Sequence, residues 1–390
     1  MPTTAHILFD LLIVFVAAKA AGEVFERLRQ PAVVGEILAG MLIGPSGLNL
    51  VHESQALITM ALLGVIVLRF VVGLETKPSD LFRVGSRAFA VAALGVGASF
   101  AGGFALAHAT GFSPRASLLI ATAIVSTSVG VTARVLKDRS LLQLTESRIV
   151  VAAAVVDDVI GLLILAIVLG LADGGFDPIR VLVIAGLIVA FIAFELWIAP
   201  ILIRRHRHYL DHLRIPNGPF VVALAIMLLT AAVAEQIGLA AVVGASMAGM
   251  MLAETEDCFG LARDSRPLYD WLVPYFFALT GMRVDLHLFA DPGVVALGVG
   301  LTVVAMVAKI IGCGVGAFGL GWRRQLFVGL GMIPRAEVAL IVAASGLALH
   351  VFDARVYAAI VFAAAATMII SPALLGLVIP RVNVEPSPEG

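Results

Sequence analysis

The chain has 390 residues, 61% of them hydrophobic and only 14% charged, with a mean hydropathy of +1.05. Soluble domains carry about 25% charged residues, so a soluble globular enzyme is excluded. The 26 Lys+Arg nearly cancel the 27 Asp+Glu, which excludes the basic surface a nucleic-acid partner requires. Cys258 and Cys313 lack CxxC spacing and supply neither a disulfide scaffold nor a zinc site.

A membrane span needs roughly 20 mostly apolar residues. In chain order the candidates are 6–26, 32–50, 55–75, 86–109, 114–136, 146–171, 179–203, 217–237, 239–255, 267–284, 292–320, 325–349 and 354–379. The first has no Lys or Arg before Leu12, so it lacks the basic start of a cleaved signal and is expected to stay as a span. Asp10 and Lys19 lie within it. Arg69 puts a cation inside the third, where it is expected to snorkel towards the cytoplasmic end near Lys77 and Arg83.

The fifth span contains VSTSVGVT (Val125 to Thr132), a hydroxyl cluster around Gly130. The sixth carries Asp157 and Asp158 about midway, and the eleventh centres on Lys309, followed by a GxxxG at Gly312 and Gly316. The twelfth contains GLGMIPRAEV, in which Gly331 and Pro334 weaken the helix and Arg335 and Glu337 follow. The longest polar stretch is Arg204 to Arg214.

Basic residues fix the orientation. With the N-terminus outside, the cytoplasmic segments and the span ends that flank them hold 18 Lys+Arg, whereas the outer segments hold only Arg115, Arg180, Arg283 and Arg355. The remaining four, Lys19, Arg69, Lys309 and Arg335, lie within spans. Thirteen crossings then place the C-terminus inside. Six spans, a seventh that crosses alone, and six more give the layout of an inverted repeat. Transporters built this way hold their ion site near the midplane, at interrupted helices in matching positions of the two halves. The hydroxyl cluster and the GMIPRAEV segment are each in the fifth span of their six. Ordinary kinks satisfied by neighbouring groups are the alternative.

A charged carboxylate at this depth costs about 2.5–3.5 kcal/mol on insertion scales. Adjacent helical residues point about 100° apart, so Asp157 and Asp158 face different partners and do not share a proton as a protease dyad does. One pairs with a counter-charge, for which Lys309 is the candidate. The other faces a watery cavity, where it can exchange a proton for a cation. Sodium takes oxygen ligands, and Asp158 with Thr127 and Ser128 forms such a set if spans 5 and 6 pack together. Hydroxyls bonding back to their own helix are the competing reading. Arg335 and Glu337 are expected to compensate broken-helix dipoles rather than to bind the ion.

The chain resembles the second family of bacterial monovalent cation:proton antiporters, and within it the Nap-type Na+/H+ antiporters. The residues that carry the resemblance are QPAVVGEILAGMLIGP (Gln30 to Pro45), VGLE (Val72 to Glu75), TSVGVTARVL (Thr127 to Leu136), VVDDVIGLLIL (Val155 to Leu165), Lys309 and GMIPRAEVALIVA (Gly331 to Ala343). Arg69 departs from the usual apolar residue of its stretch.

The resemblance implies an all-α polytopic protein with two crossing interrupted helices. It implies a dimerisation domain over 1–85 and 217–290, a core ion-translocation domain over 86–171 and 291–380, a linker helix at 179–203 and a cytoplasmic tail at 381–390. It assigns Asp158 as the ion- and proton-binding carboxylate, and so the sodium ligand, and Asp157 as the partner of Lys309. It further implies a homodimer in the bacterial inner membrane, moving its core like an elevator and needing no cofactor beyond the transported Na+ (or Li+) and H+. The chain ends at VNVEPSPEG without the nucleotide-binding domain of the Kef-type relatives, which argues against glutathione-gated potassium efflux. The expected function is electrogenic sodium/proton antiport. Potassium/proton antiport is the alternative, and an intramembrane aspartyl protease the remote one.

Overall fold

In lipid every backbone N–H and C=O needs a partner within the protein, and a helix supplies one within its own segment, so apolar stretches of this length become helices. The computed structural model describes residues 4–28, 30–75, 86–128, 132, 136, 141, 144–172, 186, 190, 216–236, 241–253, 255 and 259–378. The helices among these residues are α1 (Thr4–Arg27), α2 (Ala32–Ile43), α3 (Gln55–Leu74), α4 (Ser86–Ala109), α5 (Pro114–Ala123), α6 (Thr145–Ala172), α7 (Gly218–Gln236), α8 (Ala241–Ala253), α9 (Leu261–Met282), α10 (Pro292–Gly316), α11 (Trp322–Gly331), α12 (Glu337–Ala348) and α13 (Ala354–Val378). A 3₁₀ turn, Leu286–Ala290, precedes α10. Among the described residues, α3, α4, α7, α10 and α13 are long and apolar enough to cross a membrane. The expected linker at 179–203, apart from residues 186 and 190, and the tail at 381–390 lie outside the described residues.

The chain gathers into two compact units, Met1–Arg83 with Leu165–Asp285 and Val84–Ile164 with Leu286–Gly390. The division falls within α6.

In the first unit α3 packs on α8 and α9, and α2 packs on α1 and α9. Phe70, Met227, Met251 and Leu272 belong to its apolar centre. Gly40 of α2 and Gly281 of α9 let those helices touch, because a Cβ at Gly40 would overlap the Ala278 backbone and one at Gly281 the Ile37 backbone. Three sequence expectations change here. The second span was read to residue 50, but α2 stops at Ile43 because Pro45 has no N–H to continue the helix. The chain then folds back, with Leu48 N–H on Leu42 O at 2.6 Å and Asn49 at φ 57°. The tenth span was read from 267, but α9 begins at Leu261 behind Gly260 at φ 61°. Its polar first turns hold the helix through pairs such as Arg266–Asp270 at 3.4 Å. Arg69 does not snorkel: it is fully buried, and its Nη2 donates to Ser246 Oγ of α8 at 3.5 Å.

The second unit is built on α4 against α10, with α5 on α4 and α12, and α13 on α10, α11 and α12. Gly312 and Gly316 admit α4 so closely that a Cβ on either would press the Leu94 or Val91 backbone. The apolar stretches read as spans 5 and 12 are each interrupted. Both α5 and α11 have 10 residues and both end alike. Ile124 and Val125 donate to Ala121 and Thr122, while Met332 and Ile333 donate to Gly329 and Leu330, at 3.2–3.3 Å. Non-helical backbone follows each. The first break opens at Ile124, before Gly130, which lies outside the described residues.

The crossing glycines predict paired substitutions. Gly40→Ala should lower stability by about 1–3 kcal/mol through overpacking. Gly97→Ala, with nothing within 4 Å of its added Cβ, should be neutral or stabilising by about 0.5–1 kcal/mol. Thermal unfolding in detergent measures both.

Candidate functional site: two helix breaks and an aspartate pair

Helix α6 holds Asp157 and Asp158 near its midpoint, where they are 0% and 8% exposed. Lys309, in the second half of α10, is also 0% exposed, and its ammonium pairs with Asp157 Oδ1. The second oxygen of Asp157 accepts the Thr127 backbone N–H at 2.7 Å. Asp157 is therefore held by a cation on one side and by an amide from the broken helix on the other. Gly95 of α4 makes room for Cys313 Sγ, which an added Cβ would overlap, one turn along α10 from Lys309.

The two breaks satisfy part of each other's backbone. Ser128 N–H donates to Pro334 O at 2.8 Å. The hydroxyls of Thr127 and Thr132 donate to Met332 O at 3.0 Å and to Gly331 O at 2.7 Å. These bonds explain why neither segment continues as helix: its donors and acceptors have partners across the crossing.

Arg335, 1% exposed, ties the second break to four surroundings. Its amide donates to Thr367 Oγ1 of α13 at 3.2 Å. Nη1 donates to Met332 O at 3.1 Å and Thr127 Oγ1 at 3.3 Å, and Nη2 to Ala305 O of α10 at 3.4 Å and Ser99 Oγ of α4 at 3.5 Å. The cation thus sits at the negative C-terminal end of α11. Ser371 Oγ donates to Leu330 O at 3.3 Å. At the start of α6, Glu146 is buried and paired with Arg324 of α11 at 2.9 Å.

Of the residues expected from the sequence, Asp157, Lys309, Thr127, Ser128, Pro334 and Arg335 meet in one place, with Asp158 next along α6. The amide of Thr127 goes to Asp157, and its hydroxyl lies between Met332 O and Arg335, which commits it to the crossing. Glu337 opens α12. Sequence reading missed Ser99, Thr367, Ser371 and Gly95. The i, i+4 spacing of Thr367 and Ser371 in an otherwise apolar stretch was a readable sign of a polar stripe; Ser99 and Gly95 gave none.

A family model described as the transmembrane region of sodium/hydrogen exchangers matches residues 11–379. The chain belongs to the sodium/hydrogen exchanger family. Among its relatives, the high-affinity Na+/H+ antiporter NhaS3 of Synechocystis is 30% identical, over 99% of this chain and 92% of the relative. The Na+/H+–K+ antiporter GerN of Bacillus cereus is 30% identical, over 94% of this chain and 95% of the relative. The solved structure of the sodium proton antiporter MjNhaP1 from Methanocaldococcus jannaschii aligns over 97% of this chain and 99% of that one, with a TM-score of 0.72 at 16% identity. That likeness shows a shared fold. As a sodium/hydrogen exchanger family member with several long apolar helices, the chain is a multi-pass membrane protein.

The buried pair predicts asymmetric mutational costs. Lys309→Gln leaves the Asp157 charge buried without its cation and should cost about 3–5 kcal/mol. Asp157→Asn with Lys309→Gln together should cost clearly less than Lys309→Gln alone. Detergent melts of the single and double variants measure the difference.

Proposed function

We propose that this family member exchanges sodium, with lithium as a second substrate, for protons across the bacterial inner membrane. The observation that carries the reading is the division of labour in the aspartate pair. Asp157 is held by Lys309 and the Thr127 amide, and Asp158 is the more exposed neighbour. Asp158 is the carboxylate for which Na+ and H+ compete. Among the described residues, no group of three or more His, Cys, Asp or Glu side chains can hold a metal ion. In this reading the cargo cation rests on one carboxylate and neutral oxygens, a weak set suited to release.

The matching ends of α5 and α11 support an inverted repeat, with the breaks of spans 5 and 12 as counterparts. In this reading the second unit is the core that carries the site across the membrane by an elevator movement. The first unit forms the homodimer, the N-terminus lies outside and the C-terminus inside. No cofactor enters the scheme. The Asp157–Lys309 pair opens and re-forms during the cycle and makes exchange electrogenic.

In everted vesicles, Asp158→Asn should abolish Na+-driven recovery of a pH dye, and full retained exchange would overturn the assignment. Lys309→Gln should remove the dependence of transport on membrane potential; unchanged dependence would make Lys309 structural. A second reading, potassium/proton exchange, is favoured by the dual ion named for GerN. Proteoliposomes at clamped potential, supplied in turn with Na+, Li+ and K+, decide between them, with Na+ and Li+ expected to drive exchange and K+ not.

A further inference from the structure

Between Val125 and Thr127 stands Ser126, which the mechanism above does not use. It is 3% exposed, and among the described residues its Oγ has no hydrogen-bond partner. The amides of its neighbours are both committed, that of Thr127 to Asp157 of α6 and that of Ser128 to Pro334 O across the crossing. A hydroxyl removed from water without a partner costs about 1–3 kcal/mol. Such an atom in a core this well bonded calls for a partner that arrives.

Two observations place that hydroxyl beside the aspartates, and a third bears on whether the backbone of the break needs it. First, it points at Gly161 of α6, where an added Cβ would overlap Ser126 Oγ. Glycine within a helix costs about 0.5–1 kcal/mol relative to alanine, and here it opens the notch that receives the hydroxyl. Second, Gly161 lies on the arc between the two carboxylates, about 40° round the helix from Asp157 and about 60° from Asp158, within about 6 Å along the axis. Third, Ser126 and Pro334 stand at the same place after the starts of α5 and α11. Proline has no polar side chain, so the backbone of a break forms at that position without a hydroxyl.

We infer that Ser126 Oγ is a ligand of the transported cation, completing with Asp158 the oxygen shell that sodium or lithium takes up when it replaces a proton. The inference rests on the sodium/proton reading of Asp158 and deepens it. A proton on Asp158 needs no such shell, whereas a small cation that sheds water does. Ser126 thereby sets cation affinity and not proton affinity.

The test compares wild type, Ser126→Ala and Ser126→Cys in proteoliposomes, following Na+-driven proton movement against Na+ concentration at several pH values. Ser126→Ala removes one atom that makes no hydrogen bond, so folding is retained, and a detergent melt checks it. Both variants should raise the half-saturating Na+ concentration about fivefold to tenfold. Ser126→Cys does not rescue affinity, because sulfur replaces the shape of the hydroxyl and not its affinity for hard cations, and the maximal rate should be kept in both. Half-saturation unchanged in Ser126→Ala, or restored by Ser126→Cys, would overturn the ligand role and leave a packing role. Wild-type protein without Na+-driven exchange would overturn both this inference and the sodium/proton reading. Normal wild-type exchange with unaltered variants overturns the inference alone.

Discussion

A carboxylate with no exposure persists in a protein core only when its charge and its oxygens are matched, and the second unit is organised around meeting that demand at Asp157. One oxygen takes the ammonium of Lys309 and the other takes the Thr127 amide. Each partner imposes a condition on the fold. The amide is available only because α5 stops at Ala123 and releases the next backbone donors from helical bonds. The ammonium comes from α10, which runs closely against α4 with Gly95 and Gly312 at the contact.

The released backbone is itself a debt at membrane depth, and the second break offsets it. Pro334 and Met332 supply carbonyls to Ser128 and Thr127, and Arg335 covers the end of α11. Neither break is stable alone in lipid; together they make one polar island closed to the bilayer. The halves are chemically unequal. At the first break the backbone donor goes to an anion from the neighbouring helix, whereas at the second it goes to the neutral hydroxyl of Thr367. The cation of the second break comes from the break itself, in Arg335. Among the side chains described at the two breaks, the carboxylate that meets them comes from α6.

Much of this was legible in the sequence, because the membrane makes charge conspicuous. A span with two aspartates and another with one lysine stand out against apolar neighbours, and insertion cost argues that they meet. The extents of α1, α3, α4, α6, α7, α10 and α13 followed the hydropathy to within a few residues. What escaped was set by backbone geometry. The stop of α2 depends on Pro45 and a reversed turn, the break of α5 falls before the glycine that drew attention to it, and Arg69 finds Ser246 far along the chain. A hydroxyl such as that of Ser99 resembles any other small residue of a span until the guanidinium it faces is located.

Adjacency of the two aspartates also constrains the stoichiometry of the proposed cycle. Replacing one proton on Asp158 by one Na+ leaves the charge of that residue unchanged, so such an exchange moves no net charge. An electrogenic cycle requires a second proton, and a second titrating group that gains and loses it in step with the first. The ion pair of Asp157 and Lys309 sits one residue away on the same helix and is fully buried. If the pair opens as the cation loads at Asp158, the lysine loses the neighbour that keeps its charge in a dry core, and releasing its proton relieves the cost. In the proposed cycle the same pair that makes the buried carboxylate tolerable would then be the source of the extra charge, one residue along α6 from the carboxylate that loads the cation.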